Sequence, residues 1–426
     1  MMPGMDILYT KVNNNNMETL KVIAAWKPRE IEIGTLSYEK VRQSEIYCFE
    51  YSDEWLNNKD SLSIDNELPL VKGRIFSQNG IFKCFSDSLP DRWGKNLIDI
   101  RNCQISKAHT RLTSWDYLKT VEDSLRTGGF RFGESSTFKV PSFSDLPEMT
   151  EISKVVEMAC KSQSFPTQPI DDSFLKAASA VGGARPKACV KDGDDLYIAK
   201  FPSISDDIDK GKWEHFTHRM AAECGITVAD TSIVETKEGK SILLTKRFDR
   251  EGQERIHMAS SMSLLGFEDG TDGSSSKGYL DIVEFIVNNC ADVEENLEEL
   301  YRRVAYSICI GNTDDHFRNH SFLLTNKGWA LSPAYDLNPS LDWHHAILIN
   351  EETDESDLDI LLDSHESYML DKKTAVSIVS DVVRSMRNWE KTARQCGLSR
   401  SEMKYFSNRF AEGVECSLGN GIRHHS

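Results

Sequence analysis

Residues 311–324, GNTDDHFRNHSFLL, gather two adjacent aspartates, two histidines and two asparagines just ahead of an apolar run. Asp314 and Asn319 stand in the order D-x-x-x-x-N. In protein kinases that spacing places a carboxylate to accept the substrate hydroxyl proton and an amide to hold a metal ion. Farther on, HSFLLTNKGWALSPAYD reads as a hairpin and puts Asp336 directly after it. A second acidic oxygen there suits a hard cation such as Mg²⁺. Asp and Asn are also ordinary turn residues, so this spacing alone does not specify chemistry. Asp314, Asp315, His316 and His320 also suggest a hydrolase metal site, because imidazole and carboxylate suit Zn²⁺ or Mn²⁺. That reading leaves the upstream residues unexplained.

Those residues are informative by their order. VGGARPK, 181–187, is a glycine turn between a helical and an extended segment. Gly182 and Gly183 let backbone N–H groups approach anionic oxygens, and Lys187 adds charge. It matches neither G-x-x-x-x-G-K-[ST] nor G-x-G-x-x-G. YIAK then ends a strand whose alternation sets Tyr197 and Ala199 on one face and Ile198 and Lys200 on the other. A lysine so placed can reach phosphate oxygens, with Glu214 on the following helix as its partner, although a surface lysine and a solvated helix face are the commoner arrangements. LLTKRFDR follows as a hinge. Glycine turn, strand lysine, helix glutamate, hinge, Asp-x-x-x-x-Asn and Asp thus come in the sequence that nucleotide phosphoryl transfer needs.

The positioning elements fall into three parts after residues 1–16, which end in NNNN and look dispensable, with Met17 as a second plausible start. Residues 17–145 carry strand-like pieces, a helix at DRWGKNLIDI after Pro90, and a turn into a strand at GGFRFG. Residues 146–250 open with a helix around EISKVVEMAC. Strands follow at KACVK, LYIAKFP and KSILLTKRF, with the helix KWEHFTHRMAAECG between the last two. From 251 to 426 the pattern is helical. Leu297, Leu300, Tyr301, Val304, Ala305 and Ile308 share one face, as do Val376, Val379, Val383 and Met386. Gly311 is a natural left-handed stop, so the acidic cluster starts a loop at a helix end. There is no internal repeat.

Composition sets the outer limits. The chain has 426 residues, 39% hydrophobic and 27% charged, enough for two or three domains with cores of their own. A net charge of -17 argues against broad electrostatic binding of nucleic acid, which needs a basic face. The ten cysteines form neither a C-x-x-C pair nor a zinc-type cluster, and read as reduced thiols of a cytoplasmic protein. No apolar run approaches the roughly 20 residues of a membrane span, and no signal-peptide pattern opens the chain.

With these motifs assembled, the chain resembles the HipA-like serine/threonine kinases of bacterial toxin–antitoxin systems. VGGARPKA, IAKFPS, KRFDR, GNTDDHFRN, LSPAYDLNPS, YSDEWL, FSDSLPDRWGKNLI and GGFRFG all look like motifs of that family. The resemblance runs from residue 17 to about 410. It implies an α+β fold: a two-lobed protein-kinase-like core, with a small β-rich lobe and an all-α lobe, preceded by a β-rich accessory subdomain. ATP and Mg²⁺ are the implied cofactors. Asp314 takes the catalytic-base position, Asn319 and Asp336 the Mg²⁺ positions and Lys200 the phosphate-lysine position. Gly182, Gly183, Ala184, Arg185, Pro186 and Lys187 form the implied phosphate loop. Lys246, Arg247 and Phe248 fall on the hinge, and His316 and Tyr335 line the cleft.

The resemblance also implies a cellular protein substrate, with an aminoacyl-tRNA synthetase as the leading expectation, and growth arrest as the outcome. A DNA-binding, HipB-like antitoxin is the expected partner, with DNA met only through it and no membrane involved. A small-molecule kinase and a non-catalytic antitoxin-binding co-repressor are the alternatives. The second is disfavoured because Asp314, Asn319 and Asp336 are all present. One departure concerns regulation: where the family often carries an autophosphorylated serine, two positions before the first glycine, this chain has Ala180. Ser179 is the neighbouring hydroxyl. Lys246 also stands where an acidic residue can occur.

Overall fold

Leu20, Val22 and Ala24, then Leu36 and Tyr38, then Tyr47, Phe49 and Tyr51 each recur two apart and turn into one core, as the strand period requires. They lie on β1 (Glu18–Ala24), β2 (Ile31–Val41) and β3 (Ser44–Tyr51). After the short α1 (Asp53–Leu56) come β4 (Arg74–Phe76), α2 (Arg92–Ser106), α3 (Ser114–Thr120) and β5 (Phe130–Gly133). The strands form an antiparallel sheet in the order β4-β3-β2-β1-β5. Trp55, Phe82, Phe85 and Trp115 close its core. This computed structural model describes residues 17–416 apart from 27–29, 107–110, 136–142, 144–145, 165–167, 181 and 238. Residues 1–16 and Val181 of the glycine turn lie outside the described residues.

The small lobe holds α4 (Ile152–Ser164), α5 (Asp172–Ser179), β6 (Lys187–Asp192), β7 (Asp195–Lys200), α6 (Lys210–Glu223), β8 (Thr231–Glu235) and β9 (Ser241–Lys246). Its antiparallel sheet runs β6-β7-β9-β8. One face carries Ala188, Val190, Tyr197 and Ala199 against α4 and α5. α2 joins this core from the N-terminal segment, burying Trp93 and Leu97 there. Gly94 lets it lie directly on α5, since a Cβ at that position would meet the Ser179 carbonyl oxygen at 2.7 Å.

The large lobe begins with the ribbon β10 (Arg250–Glu251) and β11 (Glu254–Arg255), then β12 (Met258–Ser260), α7 (Ser261–Leu264), α8 (Tyr279–Asn289) and α9 (Val293–Ile310). The hairpin β13 (Ser321–Thr325) and β14 (Gly328–Leu331) follows, then α10 (Leu358–Asp363), α11 (Lys372–Met386), α12 (Trp389–Gln395) and α13 (Arg400–Gly413). α9 is buried all round in its second half, the signature of a core helix. On α11 the buried stripe is Ala375, Ile378, Val379, Val382, Val383 and Met386. Val376, expected on that stripe, is only half-buried, because the face is centred one residue away. α6 is shared between the lobes. Its Trp213 and Phe216 belong to the large-lobe core, and the Trp213 ring lies 4.7 Å from that of Phe406.

Buried arginines join the accessory subdomain to the strand that leaves the small lobe. Arg247 donates to the Leu125 carbonyl at 2.7 Å, Arg250 to that of Arg126 at 2.5 Å, and Arg126 to that of Ser88 at 2.7 Å. Asp249 neutralises the centre, accepting from Arg247, Arg250 and the Gly128 N–H. A buried carboxylate with this many donors is held far below its ordinary range despite its burial.

Candidate active site

α9 ends at Gly311 in the left-handed conformation (φ +67°), where a side chain would strike the Ser340 carbonyl. The loop that follows is cross-braced by Ser340 N–H to Gly311 O and Ala346 N–H to Thr313 O, both 2.8 Å. Its two aspartates part company. Asp314 is exposed in the cleft, whereas Asp315 is buried beneath the loop. Asp315 accepts from the Tyr279 hydroxyl at 2.6 Å and the Ser307 hydroxyl at 3.2 Å, and pairs with His320 at 3.0 Å. Burial opposes ionisation, but His320 and the Tyr279 hydroxyl bring the Asp315 carboxyl down to about 2. Asp314 goes the other way: partial burial and the nearby negative charges of Asp336 and Asp315 outweigh the pull of His316 and raise it. The Asn319 amide donates to the Asp314 carbonyl at 3.2 Å, closing the turn. The hydrolase metal reading is corrected here. Asp315 and His320 are spent on each other, and no group of three or more potential ligands exists among the described residues.

Across the cleft, Lys200 at the end of β7 lies 2.6 Å from Glu214 and 2.5 Å from Asp336. Those two carboxylates more than offset its burial and raise the Lys200 ammonium. In return Lys200 holds Asp336 far below the usual carboxylate range. Asp336 occupies a left-handed conformation (φ +58°) and also accepts from the Asn338 amide at 3.0 Å. Aspartate enters this conformation more readily than most non-glycine residues. Lys187 faces Lys200 directly across the β6–β7 ladder. Burial first, and Lys200 second, push its ammonium down to about 8.

The glycine turn lies above these lysines. Gly183 has φ +97°, a conformation that favours glycine, and a Cβ there would also displace the Lys187 ammonium. Gly182 and Ala184 are exposed, Pro186 is buried, and Arg185 is drawn aside into a two-pronged pair with Asp206 at 2.8 and 2.6 Å. Ser179 is buried, its hydroxyl donating to the Lys176 carbonyl at 3.3 Å, and Ala180 is buried beside it. As placed, neither presents a hydroxyl to the cleft.

At the hinge, the Lys246 N–H is taken by the Asp230 carbonyl and the Arg247 N–H by that of Leu196. The Lys246 side chain pairs with Asp195, and that of Arg247 serves the subdomain joint. Of the three hinge side chains, Phe248 is the one against the cleft residue Tyr335, ring to ring at 5.6 Å. The Tyr335 hydroxyl is bonded to Ser321 and to the Arg318 carbonyl. His316 is half-buried, and its Nδ1 has no hydrogen-bond partner among the described residues.

The residues fit a magnesium nucleotide. Asn319 and Asp336 supply hard oxygen ligands, few enough that phosphates complete the shell, as Mg²⁺ prefers. Lys187 and Lys200 would supply positive charge; the Gly183 N–H is already taken by Asp91, and Gly182 and Ala184 are the exposed residues of the turn. Three groups escape a reading of the sequence: Asp91, which accepts from the Gly183 N–H; Asp206; and the network around Asp315. Only the last has a local signal, a second aspartate beside the first.

Fold and site define a two-lobed, protein-kinase-like chain with an accessory N-terminal subdomain. The chain belongs to the HipA-like family. The HipA-like C-terminal domain model matches residues 179–412, and the HipA N-terminal domain model matches residues 26–116. The serine/threonine-protein kinase toxin HipA of Shewanella oneidensis is 25% identical over 337 residues, 72% of this chain and 73% of that protein. A putative kinase of Haemophilus influenzae is 29% identical over 134 residues, 29% of this chain and 39% of that protein. HipA of Shewanella oneidensis MR-1, solved with HipB and operator DNA, shares the fold. The TM-score is 0.66 at 16% identity, over 96% of this chain and 100% of that one. Among the described residues no helix is long and apolar enough to cross a membrane.

Proposed function

We propose that this chain is an ATP-dependent serine/threonine protein kinase and the toxin of a toxin–antitoxin module. The observation that carries the reading is the ion network Glu214–Lys200–Asp336, which spans both lobes and whose Asp336 charge is felt by Asp314. Mg·ATP, when bound, supplies the phosphoryl group and the cations that neutralise it. Lys200 and Lys187 hold the phosphate oxygens, while Glu214, fixed on α6, keeps Lys200 aimed. Asn319 and Asp336 are the metal-holding residues. Asp314 orients the substrate hydroxyl and takes its proton; its raised carboxyl brings it closer to the working pH than an ordinary aspartate. Catalysis of this kind is positioning plus charge, which a braced loop and a buried lysine provide.

Family membership supports a HipB-like, DNA-binding antitoxin as partner, with DNA reached only through it, a cytoplasmic setting and growth arrest as the outcome. An aminoacyl-tRNA synthetase is the substrate class we assign. The test is incubation of the pure protein with labelled Mg·ATP and a cell extract, followed by mass mapping. Label on serine or threonine of a protein supports the reading. Label on small molecules alone would move it to a small-molecule kinase, and no transfer at all would leave a co-repressor.

A further inference from the structure

The segment FSDSLPDRWG, residues 85–94, has no part in the chemistry above, yet its polar groups reach both walls of the cleft. Asp87 accepts from the Ser260 N–H at 2.7 Å and the Ser260 hydroxyl at 2.8 Å, and stands 3.9 Å from Arg318 of the catalytic loop. Asp91 accepts from the Gly183 N–H of the glycine turn at 2.5 Å, its other oxygen taking the Arg92 N–H at 2.8 Å. Trp93 completes the clasp: its N–H donates to the Gly183 carbonyl at 3.1 Å and its indole N–H to the Lys187 carbonyl at 3.0 Å. One short segment of the accessory subdomain therefore grips Gly183 at both its donor and its acceptor.

We infer that Asp91 is a positioning residue of the nucleotide site, holding the phosphate loop in its binding shape from outside the small lobe. This rests on the nucleotide reading given above. A glycine turn is the segment that loses most conformational freedom on ordering, so its shape depends on external anchors. The Gly183 N–H is bonded to a carboxylate, a charge-assisted bond stronger than a neutral one. With that donor fixed, the exposed backbone of Gly182 and Ala184 and the Lys187 ammonium are left for phosphate oxygens. A loop ordered in advance does not charge its ordering entropy to the ligand. The effect is confined to the phosphates, because among the described residues Asp91 makes no hydrogen bond to the hinge or to Phe248, where a base would lie.

The test is calorimetric titration of the full chain with Mg·ATP and, separately, with adenosine, which has no phosphate. Asp91→Ala should weaken Mg·ATP binding about tenfold, the size of one lost charge-assisted hydrogen bond, and leave adenosine affinity within about twofold. Asp91→Asn keeps an oxygen facing the Gly183 N–H but loses the charge and the acceptor for the Arg92 N–H, and should recover about half of the loss. Equal weakening of both ligands by Asp91→Ala would mark a general structural role and overturn the inference. So would tighter Mg·ATP binding, which would make Asp91 a competitor of phosphate, or an Asp91→Asn variant as weak as Asp91→Ala. If the wild-type chain binds no Mg·ATP at all, the nucleotide reading itself falls, a result distinct from any of these.

Discussion

The two loops that face each other across the cleft are held by different means. The catalytic loop is fixed from beneath by the large lobe's own core: Gly311 ends a helix whose second half is buried, and Asp315 is locked among Tyr279, Ser307 and His320. The phosphate loop has a lighter hold within its own lobe, where the Phe201 N–H donates to the Pro186 carbonyl at 2.9 Å. Gly183 is held by Asp91 and Trp93 of the accessory subdomain, and Arg185 by Asp206 of the loop after β7. One loop is intrinsic to its lobe and the other is conditional on neighbours. On the proposed reading, the half of the site assigned to proton chemistry is braced by its own lobe's core, and the half assigned to nucleotide is braced partly from outside its lobe.

The largest effect expected on the intrinsic side is chemical. Asp314→Ala should cut phosphoryl transfer by about 10²–10⁴-fold, the usual worth of a positioned base, with Mg·ATP affinity nearly unchanged. Label transfer to protein and calorimetry measure the two quantities separately. Near-normal transfer by the variant would remove Asp314 from the base role.

Next comes the foundation itself. Asp315→Ala strands His320 and the Tyr279 hydroxyl in the core, and should cost about 3 kcal/mol of stability in chemical denaturation, as breaking a buried pair does. The sign with pH follows from its lowered carboxyl. The contribution is present above the unfolded value of about 3.9 and is lost as pH falls through about 2. The variant should therefore lack that part of the acid sensitivity. An unchanged denaturation midpoint at pH 7 would mean the loop is not held from beneath.

On the conditional side, pH should act on Lys187. Its ammonium is pushed down to about 8, chiefly by burial and then by Lys200. Arriving phosphates favour the charged form, so Mg·ATP affinity should be highest below that value. It should fall by about tenfold between roughly pH 7 and 9, as the protonated fraction of such a group does over that range. Lys187→Met should bind more weakly and show a flat profile. A wild-type profile as flat as the variant's would take Lys187 out of the phosphate site.

What could be read from the sequence divides along the same line. The left-handed stop at Gly311, the hairpin carrying Asp336 to its place, and the strand ending in Lys200 are written in local spacing and alternation, and all appear in the fold. The anchors of the phosphate loop are not local. Asp91 and Gly183 lie 92 residues apart, and no periodicity links them. β8 escapes the pattern because its residues are half-exposed without a clear apolar alternation, whereas α5 is the helical segment expected just before the glycine turn. Arg247 lies on the segment that leaves the small lobe, but its side chain turns to the subdomain joint because Asp249 and carbonyls wait there.

The smallest effect expected tests whether both outer anchors matter equally. Asp206→Ala removes a two-pronged pair whose arginine is about one-third exposed while its carboxylate is nearly covered. Partly exposed pairs are worth about 0.5–1 kcal/mol, so Mg·ATP affinity should fall by about two- to fivefold and adenosine affinity not at all. The loss should be smaller than for Asp91→Ala, because the Phe201 N–H to Pro186 carbonyl bond, 2.9 Å, still ties down that end of the loop. If the two anchors restrain one loop, the double variant should lose less than the sum of the single losses, since the second release frees a segment already loosened. Strict additivity would mean that Asp91 and Asp206 act on separate parts of the site. A larger loss from Asp206→Ala than from Asp91→Ala would reverse the comparison, placing control of the phosphate loop inside the small lobe instead of in the accessory subdomain.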